Sequence, residues 1–153
     1  MNILKGRRSL LMSFSLVMMA LAGIGQTASG MAQADAPAIK GYDTVAYFRE
    51  GRALPGSASF SYVWHGMTWQ FATRENRELF AGNPEKYAPQ YDGYCAWAMA
   101  EARKAHVDPE VWKIVDGKLY LNCSSSAYEK WSRDIPGNIK KADEHWKKIS
   151  GGK

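Results

Sequence analysis

The chain has none of the short motifs by which common enzyme classes are identified from sequence. It lacks a glycine-rich nucleotide-binding motif, an HExxH zinc motif, a GxSxG nucleophile motif and a CxxC pair, so the usual evidence for those classes is missing. Its carboxylates lie at turns or in mixed-charge runs, and none is singled out as a catalytic acid or base. The side chains that remain as candidates for chemistry are Cys95, Cys123, Met67, Met99, His65, His106 and His145.

The start of the chain has the pattern of an export signal. Three basic residues precede an uncharged stretch, residues 10–24, that is rich in Leu, Met, Val and Ala. Residues 32–34, Ala-Gln-Ala, fit the small-x-small rule for cleavage and stand directly before Asp35. We therefore predict a signal peptide at residues 1–34 and a mature domain at residues 35–153.

Two features of this segment leave alternatives open. Polar residues and glycines dilute the apolar stretch, so a cleaved signal is favoured over an uncleaved anchor, which needs about 20 mostly apolar residues. Arg7-Arg8-Ser9-Leu10-Leu11 is similar to a twin-arginine signal, although Met12 stands where that pattern usually has Lys. The route is either twin-arginine or general secretory. The mature protein is expected to be periplasmic or secreted, with no stable membrane span after cleavage.

Charge and length restrict the partners and the number of domains. Three of the 20 basic residues lie in the predicted signal and all 15 acidic residues follow it, which leaves +2 on the mature segment. Basic residues there are mixed with acidic ones, as in residues 140–144, which is typical of a solvated face. The mature length suits one compact domain. No nucleic acid partner is expected, and the sequence names no protein partner.

Two β-hairpins are predicted from apolar residues that alternate on either side of a tight turn. The turns are His65-Gly66 and Asp116-Gly117, whose residues accept a positive φ. The expected cross-strand pairs are Trp64 with Met67, Tyr62 with Trp69, Phe60 with Phe71, Trp112 with Leu121, and Ile114 with Leu119. Each hairpin then has one apolar face and one more polar face.

Helices are predicted around these hairpins from their capping residues. The expected N-caps are Asp43 or Thr44, Thr73, and one of the serines at 124–126, and Asn83-Pro84 is expected to open a further short helix. Pro136-Gly137 is expected to break or kink the helix that follows these serines. A last helix carries one apolar stripe, expected to cover the sheet, at Ile139, Ala142, Trp146 and Ile149.

The fold class predicted from these elements is α+β. Residues 94–100, which include Cys95, are predicted as a strand, a prediction that their alanines weaken. The hairpins form a small antiparallel sheet, with the Cys95 strand as a further candidate member, and the helices pack on one face. No internal repeat is evident beyond the two hairpins.

Cys95 is the most promising residue for chemistry. It follows a glycine turn and shares a face with Met99 at a spacing that suits strand and helix alike. Sulfur ligands together with an imidazole, here His65, favour Cu(I) or another soft metal. Packing in a tryptophan-rich core also accounts for Cys95 and Met99, and tolerance of positive φ also accounts for His65. The candidate metal ligands are thus Cys95, Met99 and His65, with copper as the candidate cofactor.

Cys123 continues the apolar face of Leu119 and Leu121, and we expect it to be a small core residue. In an oxidising compartment a disulfide with Cys95 must be considered, and it requires the two segments to be neighbours. Because the Gly93 turn places Cys95 nearer an end of the sheet, we predict that the two cysteines are unpaired.

Several separated motifs, taken in order, resemble the YHS domain. They are residues 62–72, Asn76, Phe80, residues 83–87, 93–96 and 116–122, and then residues 135–137, 141–143 and Trp146. The last of these are similar to the exported YHS-domain proteins, a group that includes selenoproteins. The resemblance covers nearly the whole mature chain.

The resemblance implies an association with heavy-metal handling, as in copper-transporting ATPases. Metal-handling members usually carry one cysteine in an Asp-Pro-Val-Cys-like segment and another just after the second aromatic strand. Here those places hold Asp43-Thr44-Val45-Ala46 and Ala72, so both thiols are missing. Cys95, within Gly-Tyr-Cys-Ala, is the position at which the resemblance to the selenoprotein group implies reactivity.

Three functions stay open from sequence. The domain is a soft-metal binding module centred on Cys95, a thiol-dependent redox protein that uses the same residue, or a non-catalytic interaction domain. A redox protein needs an exposed thiol with a lowered pKa, whereas an interaction domain leaves an apolar patch unburied.

Overall fold

The computed structural model describes residues 36–151, so the predicted signal peptide and its cleavage point lie outside the described residues. The elements, in chain order, are α1 (Thr44–Arg49), β1 (Ser57–Trp64), β2 (Met67–Phe71), α2 (Arg74–Gly82), α3 (Pro84–Tyr87), α4 (Ala96–Ala100), β3 (Asp108–Val115), β4 (Lys118–Asn122), α5 (Ser125–Ser132) and α6 (Ile135–Ile149). The α+β class is confirmed. None of these helices is long and apolar enough to cross a bilayer.

The first hairpin pairs β1 with β2 in the predicted register near its turn. Trp64 faces Met67 and Tyr62 faces Trp69, and His65 and Gly66 both have the positive φ that this turn requires. The predicted pair of Phe60 with Phe71 is wrong. A bulge between Ser57 and Ser61 inserts extra residues into β1, and Ser57 faces Phe71 instead.

The second hairpin pairs β3 with β4 and has the same construction. Trp112 faces Leu121 and Ile114 faces Leu119, as predicted, across a turn at Asp116 and Gly117 in which both φ values are positive. A bulge again interrupts the register farther from the turn.

The single sheet expected from sequence is wrong in its detail, because the hairpins form two separate two-stranded sheets within the described residues. Both hairpins contribute side chains to the same core, and no backbone hydrogen bond joins the described parts of the two. Trp69 and Phe71 of β2 and Leu119 and Leu121 of β4 all lie in one buried core. Burying both apolar faces together leaves the helices to cover the remaining sides.

The predicted strand at Cys95 is also wrong. Residues 96–100 form helix α4, and Cys95 is its N-cap. Alanine is the strongest helix former and a weak strand former, and three of the five helical residues here are alanines. The other predicted caps are confirmed, with Asp43, Thr73, Asn83 and Ser124 each accepting a backbone N–H.

Helix α6 lies against α4 instead of covering a sheet. Ala142 of α6 is buried with Met99 and Ala100 in a second core cluster, and His145 Nδ1 lies 3.0 Å from the carbonyl oxygen of Met99. The helix predicted after the serines at 124–126 is α5, and it ends at Ser132, just before Pro136 and Gly137. They occupy the first turn of α6, where proline is tolerated, after Asp134 as the N-cap.

The described residues contain an internal repeat, which corrects the expectation of none. Each unit has a left-handed turn, a short helix, a bulged hairpin of eight- and five-residue strands, and a capped helix. The first unit is residues 38–82 and the second is residues 90–132. Ser57 and Ser61 flank the bulge of the first hairpin, and Asp108 and Trp112 flank the bulge of the second. The two pairs have the same spacing and the same offset along the chain, so the bulges also correspond.

Backbone hydrogen bonds repeat in the same places. The N–H of Asp43 donates to the Leu54 carbonyl at 2.8 Å, and the N–H of Cys95 donates to the Ala105 carbonyl at 3.0 Å. In both units the N-cap follows a Gly-Tyr pair, Gly41-Tyr42 or Gly93-Tyr94. Asp43 and Cys95 are therefore equivalent positions.

Candidate thiol site

A strained turn positions Cys95 at the start of α4. Tyr91, Asp92 and Gly93 all have positive φ, which is uncommon for the two non-glycine residues. Gly93 is required here because an added Cβ would come within 2.6 Å of Ile39 Cγ2. The turn ends in extended backbone at Tyr94 and delivers Cys95 into the interior between α4 and the end of β4.

The Cys95 sulfur is completely buried and has polar neighbours on several sides. It accepts the backbone N–H of Cys123 at 3.1 Å and that of Ala98 at 3.5 Å. Its S–H faces Asn122 Oδ1 at 3.9 Å. The site thus combines the start of a helix with the end of a strand.

Burial is the largest influence on the Cys95 thiol. It raises the pKa, a hydrogen bond with the Cys123 side chain raises it further, and the N–H of Ala98 lowers it by less, so the pKa is about 11. The thiol is therefore protonated at neutral pH. Such a sulfur is a poor nucleophile until its proton is displaced.

Asn122 is buried beside this sulfur and is only partly satisfied. Its Oδ1 accepts the backbone N–H of Trp97 at 3.1 Å, which fixes the orientation of the amide. Its Nδ2 has no hydrogen-bond partner among the described residues. A buried amide donor without an acceptor lowers the free energy of unfolding by about 1 to 3 kcal/mol. The missing partner of Asn122 Nδ2 is therefore a destabilising feature of this site.

Cys123 lies directly after β4 and is half-buried. Both cysteines are free thiols, as predicted, but the reason given from sequence is wrong because the two residues are neighbours. Cys123 also packs against the first core cluster, as expected from sequence. Its backbone and its side chain both interact with Cys95. The sequence held no signal for this contact, because it depends on how the second hairpin meets α4.

The other predicted ligands lie apart from the Cys95 sulfur. The Met99 side chain is buried in the second core cluster, whereas Cys95 belongs to the first. His65 is exposed at its turn, where it stacks on Trp64 and lies 3.5 Å from Asp92. Within residues 36–151 no three His, Cys, Asp or Glu side chains form a group that could hold a metal ion. Cys123 is the side chain that brings a second sulfur to Cys95.

The architecture at this point defines an α+β module made of two repeated units, with the buried thiol of Cys95 beside the half-buried Cys123 in the second unit. The family model of the YHS domain matches residues 45–91. The resemblance to the YHS domain predicted from sequence is confirmed over these residues. The match covers most of the first unit together with α3, and it ends before Cys95. No curated protein and no solved structure matches the chain.

Proposed function

We propose that this protein is an exported YHS module that binds a soft cation, Cu(I), through the sulfurs of Cys95 and Cys123. The observation that carries the proposal is the contact between the two cysteines, with the N–H of Cys123 3.1 Å from the Cys95 sulfur. Thiolates are the protein ligands that select Cu(I), and two sulfurs are a sufficient set for that ion. The association of YHS domains with metal handling supports the same class of ligand.

The internal repeat adds a second argument for Cys123. Metal-handling YHS domains carry a cysteine just after the second aromatic strand, where the first unit of this chain has Ala72. The equivalent position of the second unit, directly after β4, is Cys123. The thiol missing from the first unit is therefore present in the second.

The residues around the pair have distinct tasks in this proposal. Burial of Cys95 excludes water, and the N–H groups of Ala98 and Cys123 stabilise negative charge on its sulfur. The half-buried Cys123 provides the route by which a cation reaches the interior. A bound Cu(I) ion would supply the positive charge that replaces the thiol protons.

We expect reduced mature protein to bind one Cu(I) in competition with a chromogenic chelator. Cys95→Ser and Cys123→Ser should each weaken binding on the order of a hundredfold, because serine oxygen is a hard ligand. Since the Cys95 pKa is about 11, displacement of the Cys95 proton should contribute about a tenfold rise in affinity for each pH unit between 7 and 10. Met99→Leu and His65→Ala are the controls, and unchanged binding in either serine variant would contradict the proposal.

The same contact favours a second candidate, a reversible disulfide between Cys95 and Cys123. The two thiols would lose two electrons and two protons to a low-molecular-weight disulfide, which is reduced to two thiols as the intramolecular S–S bond forms. Thiol labelling of the non-reduced protein separates the candidates. Labelling of Cys123 that Cu(I) suppresses supports the metal module, and labelling only after reduction supports the disulfide.

The proposal that the protein is exported rests on the sequence of residues 1–34. We expect mass spectrometry of the periplasmic or secreted fraction to find a mature N-terminus at Asp35. Replacing Arg7 and Arg8 with Lys should block export if the twin-arginine route is used, whereas undiminished export would indicate the general secretory route. An intact Met1 on cytoplasmic protein would contradict export.

A further inference from the structure

A cleft of about 260 Å³ lies where the two repeated units meet. Its apolar lining includes Ile39 and Val107, which are both buried, and the half-buried Met67. Two charged residues also line it, Lys40 from the first unit and Asp92 from the second. Small-molecule sites are typically apolar clefts with a few polar groups, and they often lie between structural units. The cleft has that composition and that location.

The two units contribute equivalent left-handed turns to this cleft. Each turn is preceded by a proline and followed by a tyrosine. In the first turn, Ile39 and Lys40 have φ of 43° and 58°. In the second turn, Tyr91 and Asp92 have φ of 61° and 52°. Such values are uncommon outside glycine, above all for a β-branched residue, and backbone strain of this kind is concentrated at functional sites.

Lys40 and Asp92 hold the same place in the two turns but carry opposite charges. Within residues 36–151 Lys40 has no ion pair, and the only cation paired with Asp92 is His65, at 3.5 Å. The turns are in contact, because a Cβ added to Gly93 would come within 2.6 Å of Ile39 Cγ2. Adjoining backbone segments therefore bring one charge of each sign to a single cleft, and the two charges do not neutralise each other.

We infer that this cleft binds a free α-amino acid with an apolar side chain. Lys40 pairs with the ligand carboxylate, Asp92 pairs with the ligand ammonium group, and the apolar lining contacts the ligand side chain. At about 30 Å³ for each water-sized group, the volume takes roughly nine non-hydrogen atoms, the size of leucine or methionine. The cleft is not lined by Cys95 or Cys123, so the inference is independent of copper binding.

The test titrates L-leucine, and separately L-methionine, into isotope-labelled mature protein and follows the backbone amide signals by NMR. We expect saturable shifts centred on Gly93, Tyr94 and Val107, with a Kd of about 1 mM or below for at least one of the two ligands. Lys40→Gln and Asp92→Asn should each weaken binding about tenfold, because each removes one charge-assisted contact. The same spectra show whether each variant is folded.

Two variants elsewhere in the chain are the matched controls. Asp116 is also an aspartate with positive φ in a tight turn, but it lies outside this cleft. Lys118 is an exposed lysine beside that same turn. Asp116→Asn and Lys118→Gln should bind leucine as the unmodified protein does.

Ligand analogues test the two charges from the other side. Isocaproate is leucine without its ammonium group, and isoamylamine is leucine without its carboxylate. Each should bind at least about tenfold more weakly than leucine, because one charged residue of the cleft is left without its partner.

Three results would overturn the inference. They are the absence of saturable shifts at the cleft with both amino acids, unchanged affinity in either Lys40→Gln or Asp92→Asn, and an analogue that binds as tightly as leucine. A failure to bind Cu(I) would contradict the proposed function and would leave these measurements unaffected.

Discussion

Replacing Trp69 with alanine should lower the free energy of unfolding by about 3 to 5 kcal/mol. The indole is completely buried, lies 5.3 Å from the Phe80 ring between centroids, and donates its Nε1–H to the Trp64 carbonyl at 3.2 Å. Its removal leaves a cavity at the centre of the first core cluster and also leaves that carbonyl without its donor. Urea denaturation of the mature protein, followed by circular dichroism, measures the loss.

The matched control for Trp69 lies on the other face of the same hairpin. Val63 is 66% exposed, and Val63→Ala should change the free energy of unfolding by less than about 0.5 kcal/mol. A loss below about 1 kcal/mol for Trp69→Ala would show that the aromatic face of the hairpin is not the buried one.

Asp43→Ala should cost on the order of 4 kcal/mol, because four buried donors lose their acceptor together. Asp43 joins the start of α1, the end of β2 and the side chain of Asn76, so the loss reaches three elements. Asp43→Asn should cost about 2 kcal/mol, since one oxygen remains while the amide nitrogen faces other donors. Thermal and urea unfolding of the three proteins measure these differences.

Asp134 provides the control for Asp43, because it is also an aspartate N-cap but is exposed and accepts a single N–H, from Gly137. Asp134→Ala should cost about 1 kcal/mol. If the two alanine variants lost the same stability, Asp43 would be an ordinary cap and its network would contribute nothing further.

The local features of the fold could be predicted from short stretches of sequence. The turns at His65-Gly66 and Asp116-Gly117 set the register of the adjacent pairs, because positive φ at two consecutive positions selects one turn family. Thr73 and Ser124 cap helices because their side chains accept N–H groups within the same turn. These decisions depend on neighbours a few residues away.

The positions of the bulges and the secondary structure around Cys95 could not be predicted correctly from the sequence. The strand predicted at residues 94–100 is a helix since its alanines favour that form, and α6 covers it. Alternation predicts Phe60 opposite Phe71 because it cannot show an inserted residue, and the bulge in β1 is defined only by the pairing of both strands. The repeat was missed because the equivalent positions share little beyond a Gly-Tyr pair, a turn glycine and a hydroxyl cap.

The sequence by itself predicted the resemblance to the YHS domain, the α+β class and both hairpin turns, and it selected Cys95 as the candidate site residue. Only the tertiary structure brought Cys123 and Asn122 to the Cys95 sulfur, because they follow Cys95 by more than 25 positions and approach it through the docking of β4 against α4. Hydrogen-bonding capacity in a buried site depends on where every donor finally lies. The correspondence between Asp43 and Cys95 is therefore a property of the folded repeat that neither residue reveals alone.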